Sequence, residues 1–119
     1  MKSLLCILSS PPYLGSRMAE RIDSILVAAV FDMPTKLLFR GEAISALLHP
    51  SDQIPTDGHQ NVSKMLKSLA TYDIEDIYVC AEALAEFGLT PDQLVVAAKP
   101  LSPAEQGRLI AEQPLVMTA

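Results

Sequence analysis

Five consecutive apolar residues near the start of the chain, Leu4-Leu5-Cys6-Ile7-Leu8, decide the fold class together with the turn Ser9-Ser10-Pro11-Pro12 that follows them. An uninterrupted apolar run of this length is typical of a strand that is buried on both faces of a parallel sheet. Residues 17–31 then change to helical spacing, with apolar side chains on one face and polar or charged side chains on the other. A strand followed by a helix is the unit from which parallel sheets are built, so the chain opens as an α/β protein.

The alternation of strand and helix continues to the end of the chain. Strands are predicted at residues 35–39, 77–80, 94–98 and 115–117, and helices at residues 43–48, 62–69, 81–87 and 103–113. Residues 49–61 are the most polar stretch and are predicted as a long surface loop. Ser102 and Glu105 have the spacing of a capping box, and Gly88 has the position of a residue that ends a helix. We therefore expect residues 1–119 to form one three-layer α/β/α domain with a mainly parallel five-stranded sheet.

The composition argues against several classes of protein. Of the 119 residues, 50% are hydrophobic and 19% are charged, which is typical of a folded domain and not of a disordered chain. A formal net charge of −5 opposes binding to phosphate, so we expect no direct contact with nucleic acid. No apolar stretch has the length that a bilayer requires. Two cysteines without an export signal indicate a reducing compartment, so we expect a cytoplasmic protein that does not bind a membrane.

The sequence lacks the motifs that cofactor and metal sites require. Residues 9–16, after the first predicted strand, include two prolines that remove N–H donors, and they contain no GxGxxG or Walker pattern for a phosphate. Cys6 and Cys80 lie far apart, and there is no CxxC pair or Cys/His cluster that could bind zinc. We expect no metal and no cofactor. A flavodoxin-like module that binds a small ligand stays open as an alternative, and a ligand that co-purifies with the chain would favour it.

Cys80 is the candidate functional residue. It is predicted at the carboxyl end of a strand and at the start of a helix, where the helix N-terminus stabilises a thiolate. Free cysteine is also among the most often buried residue types, so a purely structural role for Cys80 stays open. No Lys, Arg or His is close to Cys80 in the sequence, and the charge of Glu82 opposes thiolate formation. We therefore expect a modestly activated thiol that reacts faster than Cys6, which lies in the middle of a predicted strand.

Several short strings in the chain form one pattern. They are Pro11-Pro12, Glu20 and Asp23 near the start, then Tyr72-Asp73-Ile74-Glu75, Val79-Cys80-Ala81, Leu84, Gly88-Leu89, Leu94-Val95-Val96 and Pro100-Leu101. This pattern resembles the TusC/DsrF subunits of the DsrE/F-like sulfur-relay family, and it spans nearly the whole chain. Residues 41–61 depart from that family, because its usual Asp-Gly after the second strand appears here as Gly41-Glu42.

The resemblance implies a fold, a pathway and a set of partners. DsrE/F-like domains are three-layer α/β units with five strands, which agrees with the pattern of elements above. TusC-like chains join TusB-like and TusD-like chains in a heterohexamer with two copies of each. That complex passes persulfide sulfur to a TusE-like acceptor and onward to 2-thiouridine at the tRNA wobble position. The sulfur-carrying cysteine belongs mainly to the TusD/DsrE-type subunit, so the resemblance implies that this chain is a non-catalytic or weakly sulfur-binding subunit.

Two alternatives within the same family stay open. The first is a homo-oligomeric DsrE-like sulfurtransferase in which Cys80 carries the persulfide, and the second is a DsrF-like subunit that serves sulfur oxidation. In each case we expect that the chain is not a monomer, because half of its residues are hydrophobic in a small domain. The helix at 62–69 and the last strand are the candidate contact surfaces, since an unpaired strand edge invites pairing.

Overall fold

Five parallel strands form the centre of the molecule. The computed structural model describes residues 4–9, 17–31, 33–47, 66–69 and 74–118. Within these residues the strands are β1 (Leu4–Leu8), β2 (Thr35–Phe39), β3 (Asp76–Cys80), β4 (Lys99–Leu101) and β5 (Leu115–Thr118). Their order across the sheet is β4-β3-β2-β1-β5, and every neighbouring pair is parallel. The predicted parallel five-stranded sheet is confirmed.

A helix follows each of the first four strands. They are α1 (Arg17–Val30) after β1, a 3₁₀ helix (Gly41–Leu47) after β2, α2 (Ala81–Glu86) after β3 and α3 (Pro103–Glu112) after β4. Of the helix predicted at 62–69, residues 66–69 are helical, and the rest lies outside the described residues, as does the loop predicted at 49–61. No described helix is long and apolar enough to cross a membrane.

The sheet is covered on both faces. The chain moves from β1 to β4 in one direction and then crosses to β5 beyond β1, so right-handed connections place α1 and α2 on one face and α3 on the other. The packing agrees with these connections. The core on the α1 face includes Cys6, Leu8, Ile22, Ile25, Leu37, Phe39, Ile44, Leu66, Leu69, Ile77, Val79 and Leu84. The smaller core on the α3 face joins Leu5, Ile7, Leu38, Leu101 and Leu109.

The fourth strand does not lie where the sequence pattern predicts. The prediction at residues 94–98 is wrong, because the strand is Lys99–Leu101. Residues 94–98 instead lie along the α1-face core, where the Val95 N–H donates to the Leu47 carbonyl at 2.8 Å. Packing beside a core and burial within a sheet produce the same apolar pattern. Pro100 is tolerated in β4 because this strand lies at the edge of the sheet.

A capping box starts α3, the helix that covers the second face. The Ser102 hydroxyl accepts a hydrogen bond from the Glu105 N–H at 3.3 Å, and the Glu105 carboxylate accepts one from the Ser102 N–H at 3.0 Å. The hydrogen bond from the Ser102 backbone, followed by that of its side chain, holds the pKa of Glu105 below its usual range. The Gln106 side chain donates to the Leu101 carbonyl at 3.0 Å and so ties α3 to β4. The predicted capping box is confirmed.

Ser102→Ala should lower the free energy of unfolding by about 1 kcal/mol, because it removes the hydroxyl that caps α3. Urea denaturation followed by circular dichroism measures the change. The control is Ser24→Ala on the exposed face of α1, which should change the free energy by less than about 0.5 kcal/mol. An unchanged stability of the Ser102 variant at neutral pH would contradict the cap.

The same capping box predicts a pH dependence. Because the pKa of Glu105 is lowered in the folded chain, its stabilising contribution is present above the pKa of an ordinary carboxyl group and is lost as the pH falls through the lowered value. The stability difference between wild type and Glu105→Gln should therefore shrink in acid, whereas Ser102→Ala keeps the bond from the Ser102 N–H to the carboxylate. A difference that stays constant across that pH range would show that the charge of Glu105 is not part of the cap.

Candidate functional site

Cys80 is the last residue of β3 and directly precedes α2. Its backbone is extended, with φ −67° and ψ 117°, and its thiol makes no capping hydrogen bond to the helix. The side chain is half-buried against the α1-face core. The predicted placement between a strand and a helix is thus observed. Cys80 lies at the carboxyl edge of the sheet, which is the edge where open α/β sheets bind their ligands.

Arg40, the residue that follows β2, lies at the same carboxyl end of the sheet as Cys80. Phe39 pairs with Val79, so the next residues, Arg40 and Cys80, lie at the same level on neighbouring segments of the sheet. The Arg40 N–H donates to the Leu8 carbonyl at 2.8 Å, which continues the pairing of β1 and β2 for one more residue. Neighbouring strands lie about 4.8 Å apart, a distance shorter than an extended arginine side chain. Arg40 is therefore a second candidate for the site.

A glycine turns the chain out of the extended conformation directly after Arg40. Gly41 has a φ of +53°, a left-handed conformation that glycine adopts at no steric cost, and the 3₁₀ helix starts there. The Arg40 carbonyl accepts a hydrogen bond from the Ala43 N–H at 3.2 Å, while the Arg40 side chain is exposed. Arg40 was not among the predicted site residues, because only strand register brings it level with Cys80.

The other cysteine, Cys6, is buried and has low reactivity. Cys6 is the central residue of β1 and is 0% exposed. Burial raises the pKa of its thiol to about 11, and the positive charge of Arg21 opposes this shift only in part. The thiolate is the reactive form of cysteine, so a thiol with this pKa has little reactivity near neutral pH. The burial of Cys6 agrees with the structural role that its position in a strand predicts.

Two adjoining cavities lie at the amino end of β3, whereas Cys80 lies at its carboxyl end. The larger has a volume of about 520 Å³ and is lined mainly by apolar side chains together with Lys67 and Glu75. The smaller has a volume of about 370 Å³ and shares Glu75, at the amino end of β3. Cys80 lines neither of them. Among the residues that the structure describes, no group of three or more His, Cys, Asp or Glu side chains is placed to hold a metal ion.

Comparisons with known proteins agree with one another. A sequence profile of the DsrE/DsrF-like family matches residues 2–119. The chain is similar to a TusC homolog protein of Vibrio parahaemolyticus, with 32% identity over 105 residues and 86% of each chain covered. It is also similar to the intracellular sulfur oxidation protein DsrF of Allochromatium vinosum, with 29% identity over 82% of this chain and 71% of that one. The crystal structure of the YchN protein of E. coli matches over the full length of both chains with a TM-score of 0.83 and 16% identity, which shows the fold alone.

Iodoacetamide should modify Cys80 at least about tenfold faster than Cys6 in the folded chain, because Cys6 is fully buried and its pKa is raised to about 11. Peptide mass spectrometry after timed labelling measures both rates. The control is the same reaction in concentrated urea, where the two cysteines should react at similar rates. Equal rates in the folded chain would contradict this description of the two thiols.

Proposed function

Because the chain belongs to the DsrE/DsrF-like family, we propose that it is the TusC-like subunit of a sulfur-relay complex that passes persulfide sulfur toward 2-thiolation of the tRNA wobble uridine. The observation that carries this proposal is the 32% identity to a TusC homolog over most of both chains. A sulfur-relay role follows from the family. The proposal adds two points to this role, the tRNA pathway and the composition of the complex.

In the proposed complex this chain joins TusB-like and TusD-like chains, two copies of each, and a TusE-like protein takes up the sulfur. Persulfide sulfur moves when an acceptor thiolate attacks the outer sulfur of a Cys–S–SH group. The new S–S bond forms on the acceptor, the old S–S bond breaks, and the donor cysteine leaves as a thiolate. Electrons and atoms balance without an oxidant. A subunit of the complex therefore contributes by bringing donor and acceptor cysteines together.

Cys80 fits an auxiliary role in this exchange better than the role of main carrier. It is half-buried and lines neither of the two cavities described above. Glu82 lies in the first turn of α2, two residues after Cys80. We assign the main carrier cysteine to the TusD-like chain and a weak sulfur-binding role to Cys80.

The free edge of β5 supports assembly with other chains. β5 is the last strand of the sheet order and pairs with β1, and its Leu115 and Val116 are 41% and 42% exposed. A strand edge with exposed apolar side chains favours association with another chain. We propose that this edge contacts a TusB-like or TusD-like chain. The other predicted contact, the helix at 62–69, lies mostly outside the described residues.

We further propose that the chain acts in the cytoplasm and does not itself bind tRNA. Its net charge of −5 opposes the approach of a phosphate backbone. Contact with tRNA then belongs to a later protein of the relay. The chemistry of sulfur exchange also requires reduced thiols, which a reducing compartment maintains.

An alternative function is supported by the site itself. In a homo-oligomeric DsrE-like sulfurtransferase, Cys80 carries the persulfide, and its place at the carboxyl end of β3, where open α/β sheets bind their ligands, supports this alternative. A DsrF-like role in sulfur oxidation uses the same subunit chemistry in another pathway, and the similarity to the Allochromatium vinosum protein supports it. Both alternatives keep the chain in an oligomer.

Co-expression with the TusB-like and TusD-like chains of the same host should give a complex that contains all three, measured by size-exclusion chromatography with light scattering. Val116→Lys should weaken this assembly at least about tenfold, because it places a charge on the apolar edge of β5. Ala111→Lys adds the same charge at an exposed residue of α3 and should assemble as the wild type does. A wild-type chain that stays monomeric in the presence of both partners would contradict the proposed function.

Cys80→Ser should leave the complex intact and should lower the rate of sulfur transfer only in part, by less than about tenfold, because the TusD-like chain carries most of the sulfur. Transfer of labelled sulfur from a persulfide-loaded donor to the TusE-like protein measures the rate. Mass spectrometry shows whether Cys80 gains about 32 Da. Cys6→Ala is the control and should transfer sulfur normally. Complete loss of transfer from an intact Cys80→Ser complex would favour the sulfurtransferase alternative.

A further inference from the structure

The negative charge of the chain is concentrated in one segment. Residues 68–98 contain six of the fourteen acidic residues and none of the nine Lys and Arg residues, and they contain no histidine. These six acidic residues are Asp73, Glu75, Asp76, Glu82, Glu86 and Asp92. The remainder of the chain is close to neutral. Beside β3 this charge is offset, because Lys36 pairs with Asp76 in the sheet and Lys67 lines the same cavity as Glu75. The negative charge is therefore concentrated on α2 and on the short 3₁₀ turn Pro91–Gln93 that follows α2.

The end of α2 holds an aromatic ring at the surface of this segment. Gly88 has a φ of +67°, and its N–H donates to the Ala85 carbonyl at 2.9 Å, while the Leu89 N–H donates to the Leu84 carbonyl at 3.1 Å. This pair of bonds is a Schellman cap, in which the residue after the glycine packs back against the helix. Leu84 and Leu89 both belong to the α1-face core. Phe87 is left outside and is 44% exposed.

Exposed carboxylates lie on the helical turn that precedes this ring. Glu82, Ala85 and Glu86 have the i, i+3, i+4 spacing that places side chains on one face of a helix, and all three are exposed. Asp92 in the 3₁₀ turn is exposed as well. None of these three carboxylates forms an ion pair with another residue in the described part of the chain. We call these four residues and Phe87 the α2 face: the ring follows Glu86 directly, is turned by about 100° from it around the helix axis, and borders the uncompensated negative charge.

We propose that the α2 face docks a basic protein surface, in which Phe87 enters an apolar pocket bordered by Lys and Arg side chains. The partner that fits is the protein that exchanges sulfur with the complex, because α2 begins immediately after Cys80 at the carboxyl edge of the sheet. This choice of partner rests on the proposed function. The charge and the exposure of the α2 face do not depend on it.

The composition of the α2 face fits a transient partner. Charged residues are depleted from the centre of permanent interfaces, and a permanent contact fits the apolar edge of β5 better. A second copy of this chain would bring the same negative charge and would be repelled. A single aromatic side chain among charges matches a transient interface, where one buried ring supplies much of the binding energy and the charges speed the encounter and orient the partner.

The test uses the purified complex with its TusB-like and TusD-like chains, titrated with the TusE-like protein of the same host. Phe87→Ala and Glu86→Lys should each weaken binding at least about tenfold, and the affinity of the wild type should fall as salt is raised. Glu86→Lys should also make that salt dependence shallower. Phe31→Ala and Asp23→Lys make the same two changes at exposed positions of α1, and both should bind as the wild type does.

Three outcomes would overturn the proposal. The first is that the wild-type complex does not bind the TusE-like protein, and the second is that the α2-face variants bind it as tightly as their controls. The third is that these variants, folded by circular dichroism, fail to assemble with the TusB-like and TusD-like chains, because the α2 face is then a subunit contact. A wild-type chain that does not assemble contradicts the proposed function instead. In that case the chain alone is titrated with the TusE-like protein. The same comparison of the α2-face variants with their controls then tests the α2 face.

Discussion

The burial of β1 on both faces and its pairing on both sides constrain the rest of the structure. All five of its residues are buried, and they pair in register with β2 on one side and β5 on the other. A slip of one residue would exchange the side chains of the two cores, so the register has a single solution. The register of β1 also fixes the register of the next strands, because Leu8 pairs with Phe39 and Phe39 pairs with Val79. The level of Cys80 at the carboxyl edge is thus determined two strands away.

The order of the strands separates the surfaces that a relay subunit needs. β5 lies at one edge of the sheet, while β3 and the helix that follows it lie near the other. A chain held in a complex through the edge of β5 therefore keeps its α2 face free for a passing partner. Cys80 lies at the start of that helix. The proposed assembly and the proposed exchange therefore use different parts of the molecule.

Features with a local signal could be predicted from the sequence, and features that depend on distant pairing could not. The apolar run of β1, the cap at Ser102 and the helix end at Gly88 each rest on a few neighbouring residues, and each is found where it was expected. The apolar run at 94–98 has the same pattern as a strand but packs beside the sheet. Arg40 reaches the level of Cys80 only through strand register, which no local pattern reveals. The role of Cys80 depends on partner chains, whose properties are not written in this sequence.

The two edges of the sheet differ in what they offer to another strand. β4 has three residues, its central Pro100 has no N–H, and the Leu101 carbonyl is occupied by the Gln106 side chain. An edge of this kind is a poor template for a further strand, whereas the edge of β5 carries no proline. When the edge of β5 is paired with another chain, the protected edge of β4 is the one that stays outside on this chain. Growth by strand pairing then stops after one step, so the chain can form closed assemblies without running on into fibres.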